Sequence, residues 1–340
     1  MLSLDDLQAL KQGIRHRLLA WYDRNRRDLP WRRTGDPYRI LVSEVMLQQT
    51  RVAAVERYYH AFLERFPTAA ALAAAPETAV LHAWAGLGYY SRARNLQAAA
   101  RHIAANGFPS RYEDILALPG VGPYTAAAVA SIVFGQPFAV FDGNVRRVLS
   151  RVLTDPTPST KQADALLDAT RPGDYNQAIM ELGALVCLPR SPDCPRCPLL
   201  RLCKARRLGQ VDRFPPRKAK PATEKLTLRL CLVRRGRSIL LKPPSGNGLW
   251  PHFWTLPDLP LGNARLRATF FHTVTFRKIA VEVWAGKPKR IPQGLEWITP
   301  ARLAKLPLAT PARKALAAGS GSARAGTEPR PYRSVARFQS

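Results

Sequence analysis

Leu4, Leu7, Leu10, Ile14, Leu18 and Trp21 recur at three- and four-residue intervals, which predicts an amphipathic helix over 4–29 with a basic end at Arg24, Arg26 and Arg27. Leu29-Pro30-Trp31-Arg32 breaks it, because proline removes a ladder donor. The next helix, Ile40 to Gln49, is apolar nearly all round and is therefore expected to be buried. Alanine-rich helices follow over 56–105, interrupted by Trp84-Ala85-Gly86-Leu87-Gly88-Tyr89-Tyr90, and a plain amphipathic helix is expected over 161–170. From residue 226 the period changes to strands, at Leu226 to Val233, Ser238 to Leu241 and Ile279 to Trp284. Helices first and strands afterwards predict two domains, an all-α domain and then a smaller α/β domain.

The helical half is organised around Leu118 to Arg147. Leu118-Pro119-Gly120-Val121-Gly122 cannot be helix interior, and Pro123 suits the first turn of the small-residue helix that follows. Gly120 and Gly122 suit a turn that needs an unusual φ, or a backbone approached closely from outside. Such a hairpin aims backbone N–H groups outward at a helix N-terminus, where anions bind. Asp142 stands just before the periodic Val145, Val148, Leu149 and Val152, as a helix N-cap does. A capping carboxylate near a phosphate-gripping hairpin is also placed to stabilise a cation on a sugar.

Buried carboxyls are expensive and come with a charged partner or a task. Glu44, in the middle of the apolar helix, reads either as half of a buried salt bridge or as a carboxyl raised in pKa by desolvation and usable as a general acid. Gln48 lies one turn on, so its amide is expected to project toward the same cleft. Glu181, on the apolar stretch Asn176 to Gly183, is a second such carboxyl, facing a pocket or paired with an arginine. Trp31 is either core or the wall of a base pocket, and Arg32 beside it is a candidate nucleic-acid contact. The glycines ahead of Tyr89 suit a turn that wedges an aromatic into a base stack while nearby arginines hold phosphate, or an ordinary helix corner with tyrosines packed beneath.

The chain has 340 residues and a net charge of +28, which favours a polyanion, nucleic acid first and an anionic membrane surface second. No apolar run approaches the roughly 18 residues that span a bilayer, and the first residues lack a signal peptide's pattern, so a soluble cytoplasmic protein without a membrane partner is expected. Five cysteines, four of them clustered, do not suggest a disulfide framework. Cys187, Cys194, Cys197 and Cys203, spaced C-x6-C-x2-C-x5-C, can close on one metal centre, zinc or iron–sulfur. Cys231 sits in an apolar strand as a core thiol.

LPGVGPYTA followed by VFDGNVRRVLSR resembles the helix-hairpin-helix DNA glycosylase superfamily, whose pattern ends at the position of Asp142. SEVMLQQT around Glu44 and GLGYYSRARNL around Tyr89 narrow the resemblance to the adenine DNA glycosylase branch. The endonuclease III-like branch carries a small residue at the position of Glu44 and a nucleophilic lysine at that of Tyr124. The resemblance thus implies a monofunctional glycosylase that flips out and hydrolyses adenine mispaired with 8-oxoguanine or guanine in double-stranded DNA, working as a monomer. A bifunctional glycosylase/lyase for oxidised pyrimidines is the alternative, and a non-catalytic DNA-binding regulator a third.

Within the resemblance, Glu44 is the acid, Asp142 the stabiliser of the sugar cation, and Tyr124 and Asn144 adjust both by hydrogen bonding. Tyr89 and Gln48 fill the gap left by the flipped base, and Glu181 faces the adenine. The four cysteines become ligands of a [4Fe–4S] cluster. Gly248-Leu249-Trp250 with Phe253-Trp254-Thr255-Leu256-Pro257, and Glu296-Trp297-Ile298, resemble the Nudix-like module of the same enzymes without its acidic metal box, which implies recognition rather than hydrolysis. In that module Leu259 to Arg267 reads as a shortened insert between strands, and Val274-Thr275-Phe276 replaces the loop that reads 8-oxoguanine, with Thr275 keeping a hydroxyl.

The expected organisation is a glycosylase domain over 1–209 with its cluster loop at 187–203, a basic linker over 210–225, a Nudix-like domain over 226–317, and a disordered basic tail over 318–340. In a bacterium such a protein would associate with the nucleoid.

Overall fold

The apolar periodicities become helices in a computed structural model that describes residues 4–216, 222–246, 248–274 and 276–318. Thr275, part of the linker and the tail beyond 318 lie outside the described residues. The chain divides into two units, Met1–Ala219 and Lys220–Ser340.

The first unit is helical: α1 (Leu4–Asn25), α2 (Pro37–Leu47), α3 (Val52–Arg65), α4 (Ala69–Ala74), α5 (Glu77–Ala83), α6 (Ser91–Asn106), α7 (Tyr112–Leu116), α8 (Pro123–Phe134), α9 (Gly143–Leu153), α10 (Thr160–Leu166), α11 (Pro172–Leu185) and α12 (Lys204–Arg207). Pro30–Arg32 forms a single 3-10 turn where the first helix was expected to break. α2 begins three residues before Ile40, because Asp36 caps it by accepting the N–H groups of Tyr38 and Arg39 and Pro37 fits its first turn. It stops at Leu47, so Gln48 is already outside the helix.

Two apolar cores share this unit. One gathers Ile40, Leu41, Val42, Val45 and Met46 of α2 with Val55, Tyr59 and Phe62 of α3 and Leu96 and Ile103 of α6. The other gathers Ile14, Leu18 and Tyr22 of α1, Val145, Val148 and Leu149 of α9, and Ile179 and Leu182 of α11. α8 serves both, with Ala126, Val129 and Ala130 in the first and Ala127 and Ala128 in the second. Its alanines leave room for helices on both sides, which explains why a helix of such small residues is buried along most of its length.

The second unit is α/β, with β1 (Glu224–Leu232), β2 (Arg234–Arg235), β3 (Ser238–Leu241), β4 (Leu261–Val274), β5 (Arg277–Pro288), β6 (Glu296–Ile298), α13 (Pro300–Leu303) and α14 (Thr310–Ala318). Its sheets run β1-β5-β4 and β2-β3-β6. β1 pairs parallel with β5, so Leu228 sits beside Val281 and Leu230 beside Val283 on the buried face. β4 corrects the sequence reading: Leu261 to Arg267 is not an insert but the first half of a strand, with a register shift between Gly262 and Arg265. Its burial alternates from Arg267 to Val274, but adjacent Phe270 and the exposed Phe271 put apolar residues on both faces, which hid it from a search for period-two patterning. Cys231 is buried and its sulfur pairs with the backbone of Leu259, as a structural thiol does. Among the described residues no helix is long and apolar enough to cross a membrane.

Candidate active site

Between the two cores of the helical unit lies a cleft of ≈ 190 Å³, lined by Glu44, Tyr124, Asp142, Asn144 and Glu181 and walled by Leu29, Trp31, Ile40 and Met180. α2 brings Glu44 from one core, while α9 and α11 bring Asp142, Asn144 and Glu181 from the other. That volume is below the roughly 300–1,000 Å³ of drug-sized ligand pockets. The cleft is mostly greasy, with charge concentrated in a few side chains.

Glu44 is buried and pairs with no cation among the described residues, which removes the salt-bridge reading. Burial pushes its carboxyl up to about 7; Asp142 adds to the rise, while the Tyr124 hydrogen bond and Arg32 oppose it. The Tyr124 hydroxyl stands 3.0 Å from Glu44 Oε2 and 3.1 Å from Met180 Sδ. Burial, with the two carboxyls nearby, holds that phenol well above its ordinary value, so it remains a neutral donor.

Asp142 is the N-cap of α9 and accepts the Val145 N–H on Oδ1 at 2.7 Å. Its Oδ2 accepts from Asn144 Nδ2 at 3.0 Å. Asn144 is oriented in turn by Arg147, whose guanidinium donates to Asn144 Oδ1 at 2.8 Å, to Gly183 O at 2.7 Å and to Cys187 O at 2.7 Å. A chain of donors therefore runs from the cysteine loop to Asp142. Gly183 permits it, since a Cβ there would stand 2.6 Å from that of Asn144. Arg147 was missed by sequence reasoning; its i,i+3 spacing from Asn144 was the available signal.

Both readings of Glu181 hold together. Arg27 donates to it at 2.8 and 2.7 Å and Arg32 at 3.3 and 3.0 Å, while the carboxylate still borders the cleft. Burial raises its pKa, but the hydrogen bonds from the two arginines outweigh that and bring it down to about 2. Arg32 also holds Gln177 and the Arg27 carbonyl, so it orders the cleft floor from within. Trp31 is buried edge-on against Tyr59, as a core residue is, and also lines the cleft.

Gln48 departs from expectation. Its amide donates to Thr125 at 3.1 Å and lines a neighbouring cavity with Arg92, Asn95 and Gly120 rather than the cleft of Glu44. The cause is the end of α2 at Leu47, which turns the next residue off the helical face. Tyr89 is an exposed tip at φ +48°. Arg92, expected on phosphate, is instead buried. In the hairpin, Gly120 has φ +74° and a Cβ would meet Asn95 at 2.3 Å, so no side chain fits. Gly122 caps α8 with open space before it, leaving the first N–H groups of the helix accessible.

Cys187, Cys194, Cys197 and Cys203 line one cavity, closed on one side by Arg151. Burial, with the neighbouring thiols, raises Cys194, Cys203 and Cys197, the last to about 12. Arg151 donates to Cys187 Sγ at 3.3 Å and to Leu188 O at 2.7 Å, an N–H···S contact of the kind that supports a thiolate ligand. Among the described residues no three His, Cys, Asp or Glu groups gather closely enough to hold a single ion.

Residues 42–172 match the family described as HhH-GPD superfamily base excision DNA repair protein. The chain is 47% identical over 223 residues to the adenine DNA glycosylase of Homo sapiens, covering 59% of this chain and 41% of that one. It is 48% identical over 204 residues to the adenine DNA glycosylase of Mycolicibacterium smegmatis, covering 56% and 69%. A solved thermostable thymine-DNA glycosylase superimposes with a TM-score of 0.56 at 29% identity, over 59% of this chain and 98% of that one. The chain spans less than half the length of its human, rat and mouse relatives. With the Mycolicibacterium smegmatis relative matched over 69% of its length at 48% identity, the chain belongs to the adenine DNA glycosylase family.

Proposed function

We propose that the protein is a monofunctional adenine DNA glycosylase that hydrolyses the N-glycosidic bond of adenine mispaired with 8-oxoguanine or guanine. The observation that carries this reading is one cleft bordered by two carboxyls in unlike surroundings, Glu44 neutralised by burial and Asp142 hydrogen bonded at a helix start. Opposite protonation of two acids is how glycoside hydrolysis divides its labour.

A base inside a duplex is out of reach, so the adenine is flipped into the cleft. Hairpin N–H groups hold the backbone phosphate, and Tyr89 enters the stack from its exposed turn, offsetting the few kcal/mol of unstacking. Protonated Glu44 delivers its proton to a ring nitrogen of adenine. The base then leaves neutral with the electron pair of the C1′–N bond, and the Asp142 carboxylate stabilises the cation left on the sugar. Water adds to C1′ and returns a proton to Glu44, restoring the acid. Asn144 and Arg147 keep Asp142 aimed, while Tyr124 holds Glu44.

The lyase alternative needs an amine where Tyr124 supplies a phenol engaged with Glu44, so borohydride should trap no covalent DNA adduct. Four thiols around one cavity support a [4Fe–4S] cluster held by Cys187, Cys194, Cys197 and Cys203. Bound there, it would neutralise the thiolates and set the shape of the loop that Arg147 and Arg151 grip.

The test is incubation with duplexes carrying adenine opposite 8-oxoguanine, guanine, cytosine and thymine, followed by alkali. Cleavage of the first two is expected; binding without any cleavage would leave a non-catalytic DNA-binding protein instead.

A further inference from the structure

Arg92 is buried, yet no carboxylate among the described residues meets it. Its guanidinium donates to the carbonyls of Val45, Met46 and Gln48 at the end of α2, to those of Leu87 and Gly88 in the turn before Tyr89, and to the hydroxyl of Thr50. It also lies 5.5 Å from the ring centroids of both Trp84 and Tyr89. Burying a cation without a counterion is costly, and desolvation lowers its pKa accordingly. What repays the cost is a set of carbonyls that the helix end leaves without intrahelical partners, at the negative pole of the α2 dipole.

The two segments so joined carry different parts of the reaction. α2 holds Glu44, one residue before the first carbonyl that Arg92 grips, and it ends at Leu47. The turn carries Tyr89 at φ +48°, a conformation an L residue keeps only when its surroundings impose it. Here they do: Trp84 Nε1 donates to Gly88 O at 3.1 Å, and the Arg92 N–H closes back on Tyr89 O at 2.9 Å. A lysine could hold a single point of this network but not both segments at once, lacking the planar fork.

We propose that Arg92 is a positioning residue that makes the Tyr89 turn and the Glu44 helix one rigid unit, so that the side chain probing the duplex and the acid cutting the base are set together. This rests on the glycosylase reading of the cleft.

The test is a double-mutant cycle of Arg92→Lys and Tyr89→Ala in the cluster-loaded full chain. Base flipping is read from the fluorescence of 2-aminopurine placed opposite 8-oxoguanine, and excision from single-turnover cleavage of adenine. Arg92→Lys is expected to lower both about tenfold in the wild-type background, since a displacement near 1 Å is enough for such a loss. In the Tyr89→Ala background its further effect on flipping should be under about twofold, because the side chain it positions is gone. If the two losses multiply, or flipping is untouched, Arg92 is only part of the scaffold and the proposal fails. Should Arg92→Lys not fold, Thr50→Val removes one acceptor at 3.2 Å and must show the same non-additivity with Tyr89→Ala, in smaller degree. A protein that flips 2-aminopurine through this coupling yet cuts no adenine would retain the role of Arg92 and sink the glycosylase reading.

Discussion

Raising the pH from about 6 to about 9 should shut down excision through the ionisation of Glu44, the acid that delivers the proton. With its carboxyl pushed up to about 7, roughly nine-tenths of the molecules are armed at the lower pH and about one in a hundred at the higher. Single-turnover excision at saturating protein should therefore fall about ninetyfold, with a limb approaching tenfold per unit. Tyr124→Phe removes a hydrogen bond that lowers the Glu44 value, so its alkaline limb should move upward in pH. Stability must follow the same shift. The native carboxyl binds its proton more tightly than the unfolded one at 4.5, so its contribution is full below that pH and is lost as pH rises through 7, by about 3 kcal/mol. Denaturant midpoints measured across this range should slope accordingly in the wild type and lose the slope in Glu44→Gln, which should bind the mismatch and cut nothing. A flat rate profile, a Tyr124→Phe profile superimposed on the wild type, or excision by Glu44→Gln would each refute the assignment.

Asn144→Ala frees Asp142 Oδ2 and breaks the line from Arg147; single-turnover excision should fall about tenfold to a hundredfold while mismatch affinity by gel shift holds. Glu181→Ala leaves the half-buried Arg27 and Arg32 without their counter-charge, and urea titration should register a loss of about 1–3 kcal/mol at neutral pH. Gly120→Ala meets both a positive φ and Asn95, so it should cost more than about 1 kcal/mol of stability, whereas Gly122→Ala, facing open space, should leave stability within about 0.5 kcal/mol and weaken DNA binding instead. Cys197→Ser should abolish bound iron and the absorbance of thiolate-ligated iron, measured by metal analysis and spectroscopy; full iron content would show that this sulfur is not a ligand.

Sequence alone determined what depends on neighbours along the chain. Period 3.6 marked the helices, two glycines and a proline marked the hairpin, and Asp142 declared itself by standing before an apolar run. An acid in a greasy helix announced a cost that some task must justify, and Glu44 is indeed buried. The four thiols could be assigned to one cavity because a short loop limits how far apart they can be.

Only the tertiary structure decided which distant groups meet. Spacing along the chain could not say that Arg27 and Arg32 would reach across more than a hundred positions to Glu181, since a protein with this many arginines offers many equivalent partners. It could not turn Arg92 inward or send Gln48 to Thr125, because both follow from where α2 stops and what packs beyond it. It could not reveal β4, whose apolar side chains fall on both faces, Phe271 among the exposed ones. Nor could it set the proton affinity of Glu44, in which burial and the distant Asp142 carboxylate work against a phenol eighty positions away. Local order is a short-range property of the chain, whereas desolvation and charge pairing are sums over everything that folding brings near.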